Sequence, residues 1–475
     1  MDSKTSLQFE DLPAPASQTS KCPGHKSWKD KRSKKRRILG KLAFSGLLLW
    51  AGARYLRFEV PMSFTLADVD WPIPSDMSVD HCEAWSDIGE TDPEITDDFP
   101  YSADASFELP VSADTLFLIS RSVHQKHRVS SGGRVNYVQS DDVSDSIKVD
   151  ITAFFWHDKF LDGAKACLLK RGDDETGVGI FTKWEDEGHR RRHRHSDHHK
   201  LRFDVTVTFP RTEDDSPLAI SRFLTDLEIF SQNFADLSHV AFGGLYLKSA
   251  LSGIHAESLF AGNASITTSL GAVRIQSLVA SEARITSTLG PIDGTYNASK
   301  LTLTTSNAGI NVDVNLFHDS DDADAPATLR LSTSNGAING TLNLLSLSTN
   351  TDSSSAAAKF DLAAHTSHAR LGLAVLSAPP AAHIALRAHT ALGPASVSLP
   401  ATYEGAFHAS TSLSSVNVTA REGIEDPSGA GRARRVEWDA VTRGVSKGRV
   451  GWDEEGLRRG EVVVGTSLAP VELVF

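Results

Sequence analysis

Sulfur is scarce in this chain of 475 residues, which holds 3 cysteines and 3 methionines. So few cysteines exclude a disulfide-dense scaffold and a cysteine-rich zinc module. The sequence has no G-x-S-x-G elbow, no P-loop, no H-E-x-x-H and no dinucleotide fingerprint. Hydrolase, kinase and dehydrogenase chemistry therefore has no motif to stand on, and neither an enzyme nor a cofactor is expected. Lys and Arg are missing altogether between Arg57 and Arg121, where Asp68, Asp70, Asp76, Asp80, Glu83 and Asp87 accumulate. An acidic segment of this kind argues against a nucleic-acid partner.

The basic residues are concentrated at the start instead. Residues 1–41 carry 11 Lys/Arg against 4 Asp/Glu, although the whole chain has a net charge of −12. The tail 1–37 is polar, rich in Ser, Pro and Lys, and ends in Lys34, Lys35, Arg36 and Arg37, a composition that cannot bury enough surface to fold. It reads as a disordered tail. The most apolar window of the chain follows, Leu42 to Ala53. Taken as Ile38 to Phe58, 21 residues give about 31 Å of helix, enough to cross a bilayer if Lys41, Arg54 and Arg57 snorkel. The positive-inside rule leaves the tail in the cytosol and the bulk of the chain outside it, at the cell surface or in the secretory pathway. Two readings compete. Ala51-Gly52-Ala53 fits a signal-peptide cleavage site, and the Lys/Arg run fits a nuclear-localisation signal beside a buried helix.

Four Asn-x-Ser/Thr sequons, at Asn263, Asn297, Asn339 and Asn417, fall in the second half of the chain, as expected of a glycosylated ectodomain. Cys82 and Cys167 can pair in an oxidising compartment, or remain thiols. Cys22, in the tail, can stay reduced or accept a palmitoyl group.

The sharpest signal is an internal repeat. Aligning residues 245–475 on one small residue gives nine copies, at Ser252, Gly271, Gly290, Ala308, Gly336, Ala369, Gly393, Ser414 and Ala469. Three places earlier every copy has a hydroxyl: Ser249, Thr268, Ser287, Thr305, Thr333, Thr366, Thr390, Thr411 and Thr466. Five places before and two places after the small residue, the positions are apolar throughout. The shortest copies are 18 or 19 residues apart, and the excess in longer ones falls in polar inserts. A unit this short cannot hold two helices, and its β-branched alternation with a central Ser-Asn-Gly or Leu-Gly-Pro bend predicts two short strands. Stacked copies would merge their apolar columns into one core, so the expected fold is all-β, a β-solenoid of about nine rungs. A leucine-rich repeat lacks support, because the copies have no regular leucine spacing and no helical half.

Upstream, the alternation Leu201, Phe203, Val205, Val207, Phe209 and strands near Leu116–Ser120, Ile147–Phe155, Lys165–Lys170 and Val178–Trp184 predict an antiparallel, sandwich-like β unit. It would cap the first rung, and Val436–Phe475 would cap the last. The expected organisation is a cytosolic tail 1–37, a transmembrane signal anchor 38–58, an acidic stem 59–106, the antiparallel unit 107–240 with a His/Arg-rich loop 188–200, and the solenoid 241–475.

Segments such as Leu303-Thr-Thr-Ser-Asn-Ala-Gly-Ile310 and Leu331-Ser-Thr-Ser-Asn-Gly-Ala-Ile338 resemble the rungs of the "putative adhesin" β-solenoid family. Fungal single-pass membrane proteins of unknown function, with a basic tail and such an ectodomain, are similar over most of this length. The resemblance implies a β-solenoid with an adhesive role and no catalytic motif.

Three clusters are candidate sites. His189, His193, His195, His198 and His199 can gather a metal, but Arg190, Arg191, Arg192, Arg194 and Lys200 oppose a cation, and a solvated loop is the better account. Asp319, Asp321, Asp322 and Asp324 lack the Gly and terminal Glu of a calcium loop. The third place after the small residue gives His255, Arg274, Asp293, Asn311 and Asn339, a column about 20 Å long at the usual strand spacing. A polysaccharide can lie along such a column, as substrate of a carbohydrate-active enzyme or as ligand, whereas a merely solvated face needs no ligand at all. The leading expectation is a non-enzymatic, membrane-anchored interaction protein whose partner is a polysaccharide or a surface protein.

Overall fold

The computed structural model describes residues 71–91, 99–124, 131–184, 201–318, 325–347 and 357–475. The chain divides into Met1–Val69, which lies outside the described residues, and Asp70–Phe475. The expected tail, the anchor 38–58, the loop 188–200 and Asp319–Asp324 therefore fall outside what is described. Among the described residues, no helix is long and apolar enough to cross a membrane.

The described chain is all-β. Its 27 strands join into one large mixed sheet, beside a single five-residue helix, Asp158–Asp162, and a short 3-10 turn, Gly456–Arg458. In the repeat, strands Ile254–Thr268, Val273–Ser287 and Ile292–Thr304 pair in parallel, with Ile254 opposite Val273 and Val273 opposite Ile292. Later copies are cut by inserts into two strands each, yet the register holds: Ile310 lies opposite Ile338, Ile338 opposite Leu371 and Leu371 opposite Ala395. Because the side-chain period is two, each copy sends the same positions inward, and Leu247, Ile266, Ile285, Leu303 and Leu331 stack into one continuous apolar column.

The conserved spacing of hydroxyl and small residue has a direct physical cause at the corner between copies. All nine hydroxyl side chains are buried. Each can staple its corner to the one below: Thr366 donates to the carbonyl of Gly336 at 2.9 Å, and Thr390 to that of Ala369 at 3.0 Å. The same oxygen also accepts from its own turn, as when Gly336 N–H donates to Thr333 at 3.2 Å. The corners pack so closely that a Cβ on Gly336 would sit 1.7 Å from the Ala308 carbonyl oxygen, and one on Gly271 1.9 Å from that of Ser252.

Several expectations need correction. The copies do not stack in chain order at the C-terminal end. Strand Gly460–Thr466 pairs in parallel with His383–Thr390 on one side and with Gly405–Thr411 on the other, so the copy at Ala469 lies between those at Gly393 and Ser414. Only the hairpin Arg435–Val441 and Val445–Gly451 acts as a cap, antiparallel on Gly405–Thr411. Interchangeable copies carry no mark of who their neighbour is, which is why spacing could not reveal this.

The upstream unit is not simply antiparallel. Strand Thr115–His124 is parallel to both Glu175–Trp184 and Leu218–Leu227, and Ser131–Val143 is parallel to both Leu201–Arg211 and Phe230–Ser249. The parallel ladder thus runs on through this region, again out of chain order, and antiparallel strands such as Ser146–Phe155 and Ala164–Lys170 close its outer edge. Alternating hydrophobicity reports a half-buried strand but not its partner's direction. The boundary expected at 240 falls inside strand Phe230–Ser249, and the expected stem holds strands Ser78–Glu83, Ser86–Glu90 and the start of Tyr101–Pro110.

Where aliphatic repeats give way to the upstream strands, aromatic rings fill the core, with Tyr137 stacked on Phe234 at 3.9 Å. The buried Gln232 accepts hydrogen bonds from Tyr137 Oη at 3.1 Å and Thr225 at 2.9 Å and donates to the Lys248 carbonyl at 3.1 Å. A buried amide satisfied on this many sides fixes strand register, since any slip leaves it unpaired.

Candidate functional site

The parallel strands that carry Asp293, Asn311 and Asn339 turn three columns of side chains outward. In the first, His255 lies opposite Arg274, Arg274 opposite Asp293, Asp293 opposite Asn311, and Asn311 opposite Asn339. The structure thus brings together all five residues singled out by their fixed offset. Asn311 donates its amide to Asp293 at 2.9 Å, Asn339 donates to Asn311 at 2.7 Å, and Arg370 reaches Asn339 at 3.3 Å. Arg274 stands 3.6 Å from the Asp293 carboxylate. Burial, reinforced by the Arg274 charge, lowers the pKa of His255, keeping the imidazole neutral near pH 7.

Four residues further along each strand is a second amide ladder that sequence reasoning missed. Asn315 donates to Asn297 at 2.7 Å and Asn343 donates to Asn315 at 3.0 Å, with Ser377 continuing the row. The signal was present, because all three asparagines stand seven places after the small residue of their copies. Side-by-side amides bond to one another wherever parallel strands place identical residues in register.

Between the two ladders runs a column of Thr295, Asp313, Thr341, Ala374 and Ser398. Thr295, Asp313 and Thr341 make no side-chain hydrogen bond to another described residue, in contrast to the ladders that flank them. Gly372, opposite Asn339, removes one outward side chain beside this column, whereas Gly340 faces the core leucines. The result is a shallow groove of about 530 Å³ that crosses five strands from Gly294 to Ser398. At Gly294 the backbone has φ +144°, and a Cβ would meet the Ile275 carbonyl oxygen at 1.9 Å, so no larger residue fits.

This face offers donors and acceptors at a regular spacing and no aromatic ring on which a sugar could stack. Among the described residues, no group of three or more His, Cys, Asp or Glu converges as a metal site. The four sequons differ in setting. Asn263 and Asn417 are exposed, whereas Asn297 and Asn339 are half-buried and bonded within the ladders. Cys82 and Cys167 form a disulfide that ties the fully exposed edge strand Ser78–Glu83 to Ala164–Lys170.

A family model described as a domain of unknown function (DUF7330) matches residues 319–422, a minority of the chain. No curated protein matches. Two crystal structures do: a "putative cell adhesion protein" from Clostridium sporogenes, 8% identical, with a TM-score of 0.15 over 78% of this chain and 99% of that one; and a "putative adhesin" from Bacteroides fragilis, 10% identical, with a TM-score of 0.19 over 78% of this chain and 96% of that one. Superpositions this loose leave the chain's own geometry to speak for its function.

Proposed function

We propose that this chain is a membrane-anchored, extracytoplasmic β-solenoid that acts as an adhesin-like interaction protein, holding an extended polar polymer along the face between its two amide ladders. The polymer is a polysaccharide or an extended segment of a surface protein. The observation that carries this reading is the run Thr295, Asp313 and Thr341 of the central column, which makes no side-chain hydrogen bond to another described residue. The asparagines on either side spend their amides on one another, whereas Thr295, Asp313 and Thr341 line a groove with their polar atoms free, repeating at about 4.8 Å per strand. A polymer lying across these three strands meets a hydroxyl, a carboxylate and a hydroxyl at regular steps, and several weak hydrogen bonds then add into useful affinity. The disulfide supports an oxidising location, where such bonds persist. The basic tail and the apolar stretch 38–58 support anchoring with the N-terminus in the cytosol.

The test uses the full-length protein in detergent, probed against wall polysaccharide fractions and surface-protein extracts. Asp313→Ala and Thr341→Val are expected to weaken capture roughly tenfold or more without changing the melting temperature. No capture by any fraction, or capture indifferent to both substitutions, would count against the reading. If instead Asp293→Ala abolished turnover of a polysaccharide, a carbohydrate-active enzyme would replace it. Protease protection and glycosidase sensitivity of the C-terminal region in microsomes test the topology.

A further inference from the structure

The corner that carries the small residues has a second regularity, on its outside. The residue just before each small residue sits at the tip of the corner, and six of the nine are exposed leucines. Stacked in spatial order, the row begins with Leu251, Leu270 and Leu289, each about half exposed. It passes through exposed Asn307, Asn335 and His368. It ends with Leu392, Leu468 and Leu413, exposed by 43%, 47% and 72%.

The tips are in register rather than merely near one another. Leu270 N–H donates to the Ala250 carbonyl at 2.9 Å and Leu289 to that of Ser269 at 2.8 Å; Leu468 donates to Ala391 and Leu413 to Ser467, both at 3.1 Å. Nine tips at the usual strand spacing make a ridge about 38 Å long. The residues preceding the tip are Ala, Ser or Thr in every copy, so nothing bulky overshadows the leucines. A scattered exposed leucine needs no explanation, but aligned rows of them do.

What identifies the occupant is the order along the ridge: three leucines, three polar residues, three leucines. The sequence of tips reads nearly the same from either end, with Asn335 at its centre. A two-fold symmetric interface requires a self-complementary patch, in which one residue meets a second and that second meets the first. A ridge that is apolar at both ends and polar in the middle satisfies this when a copy of itself is laid antiparallel upon it. The tucking of the copy at Ala469 between those at Gly393 and Ser414 leaves this order unchanged but decides which leucine stands where, placing Leu468 second from the end and Leu413 last.

We infer that the leucine ridge is a homodimerisation surface, with a second copy of this chain packed antiparallel about an axis at Asn335. Leu270 of one protomer then faces Leu468 of its partner, Leu289 faces Leu392, and Leu251 faces Leu413. One ridge is narrow compared with standard interfaces of about 800 Å² per partner, so the dimer is a weak one.

Sedimentation velocity of the full-length protein in density-matched detergent tests this. The unaltered chain should approach twice the monomer mass as its concentration rises. Leu270→Lys and Leu468→Glu should each weaken the association about tenfold or more, equivalent to about 1.4 kcal/mol, with an unchanged melting temperature. The two together should restore it, because the axis sets each introduced charge against its opposite in the partner. Independently, Leu270→Cys combined with Leu468→Cys should give a disulfide-linked dimer that neither single substitution gives. A chain monomeric at every attainable concentration, a dimer indifferent to both charges, or a ridge that binds lipid vesicles without self-association would each overturn the inference.

Discussion

Thr411 donates its hydroxyl to the carbonyl of Ala469 at 2.9 Å, across 58 positions of chain, and Thr466 donates to Gly393 at 3.1 Å across 73. These two bonds record the out-of-order stacking at the C-terminal end. Strand Gly460–Thr466 is the bridge between everything before residue 400 and the region 405–451. Truncation after Gly451 should therefore release that region alone. Limited proteolysis is expected to cut within 405–451 while the segment 254–398 survives as in the full chain; equal sensitivity throughout would contradict the pairing.

The hydroxyl row predicts a graded loss of stability. Thr366 is fully buried, and replacing it by Val keeps its shape while removing the bond to Gly336. The expected cost is about 1 to 2 kcal/mol, read from urea unfolding, whereas Thr328→Val on the outer face of the same ladder should change stability by less than about 0.5 kcal/mol.

The corner glycines sharpen the contrast. A methyl on Gly336 would overlap the Ala308 carbonyl oxygen, whereas one on Gly372 would find its nearest neighbour at 3.6 Å. Gly336→Ala should destabilise by more than about 4 kcal/mol or prevent folding, and Gly372→Ala should be close to neutral for folding while partly filling the groove.

These two positions also mark how far the sequence could be read. The columns were legible because every copy repeats a hydroxyl, a small residue and its apolar flanks at fixed offsets, and that offset led directly to His255, Arg274, Asp293, Asn311 and Asn339. The second ladder of Asn297, Asn315 and Asn343 was equally periodic and lay in the same strands, but farther from the corner on which the copies were aligned. Neighbour identity was not legible, because the Leu-Ala-Pro-Val around Ala469 fits any corner equally well. The parallel upstream strands were hidden for a related reason. Their aromatic core of Phe203, Phe209, Phe223 and Phe242 has no copy-to-copy repetition to betray stacking.

Acid should weaken the fold before any carboxylate is protonated. Burial first, and then the Arg274 charge for His255 and the His389 imidazole for His365, lower both pKa values below the ordinary 6.5. Between the lowered and ordinary values the unfolded chain binds more protons, so stability is complete above 6.5 and is lost as pH falls through the folded values. The melting temperature should drop between about pH 7.5 and about pH 5.5, and the double variant His255→Gln with His365→Gln should show a smaller drop.

Two arginines near the C-terminal cap should respond in opposite ways. Arg459 pairs with the buried Glu404, which also accepts from Trp452 N–H at 3.0 Å. Arg434 lies over the rings of Trp452 and Phe475, with all three guanidinium nitrogens buried and without a hydrogen-bond partner. Arg459→Met strands a buried carboxylate and should cost about 3 to 5 kcal/mol, while Arg434→Met removes an uncompensated charge and should be neutral or stabilising. Chemical denaturation of the two variants side by side decides the matter.

The tucked strand also has a meaning in time. Synthesis runs from N-terminus to C-terminus, so Gly405–Thr411 and the hairpin that caps it leave the ribosome before the strand they must rest on. Until residues 460–474 emerge, the ladder ends at His383–Thr390 with a bare edge and the cap has nowhere to dock. Closure of the domain is therefore a late event that reports on translation itself: a chain stopped short of this strand cannot seal its own end, however well the preceding repeats have folded.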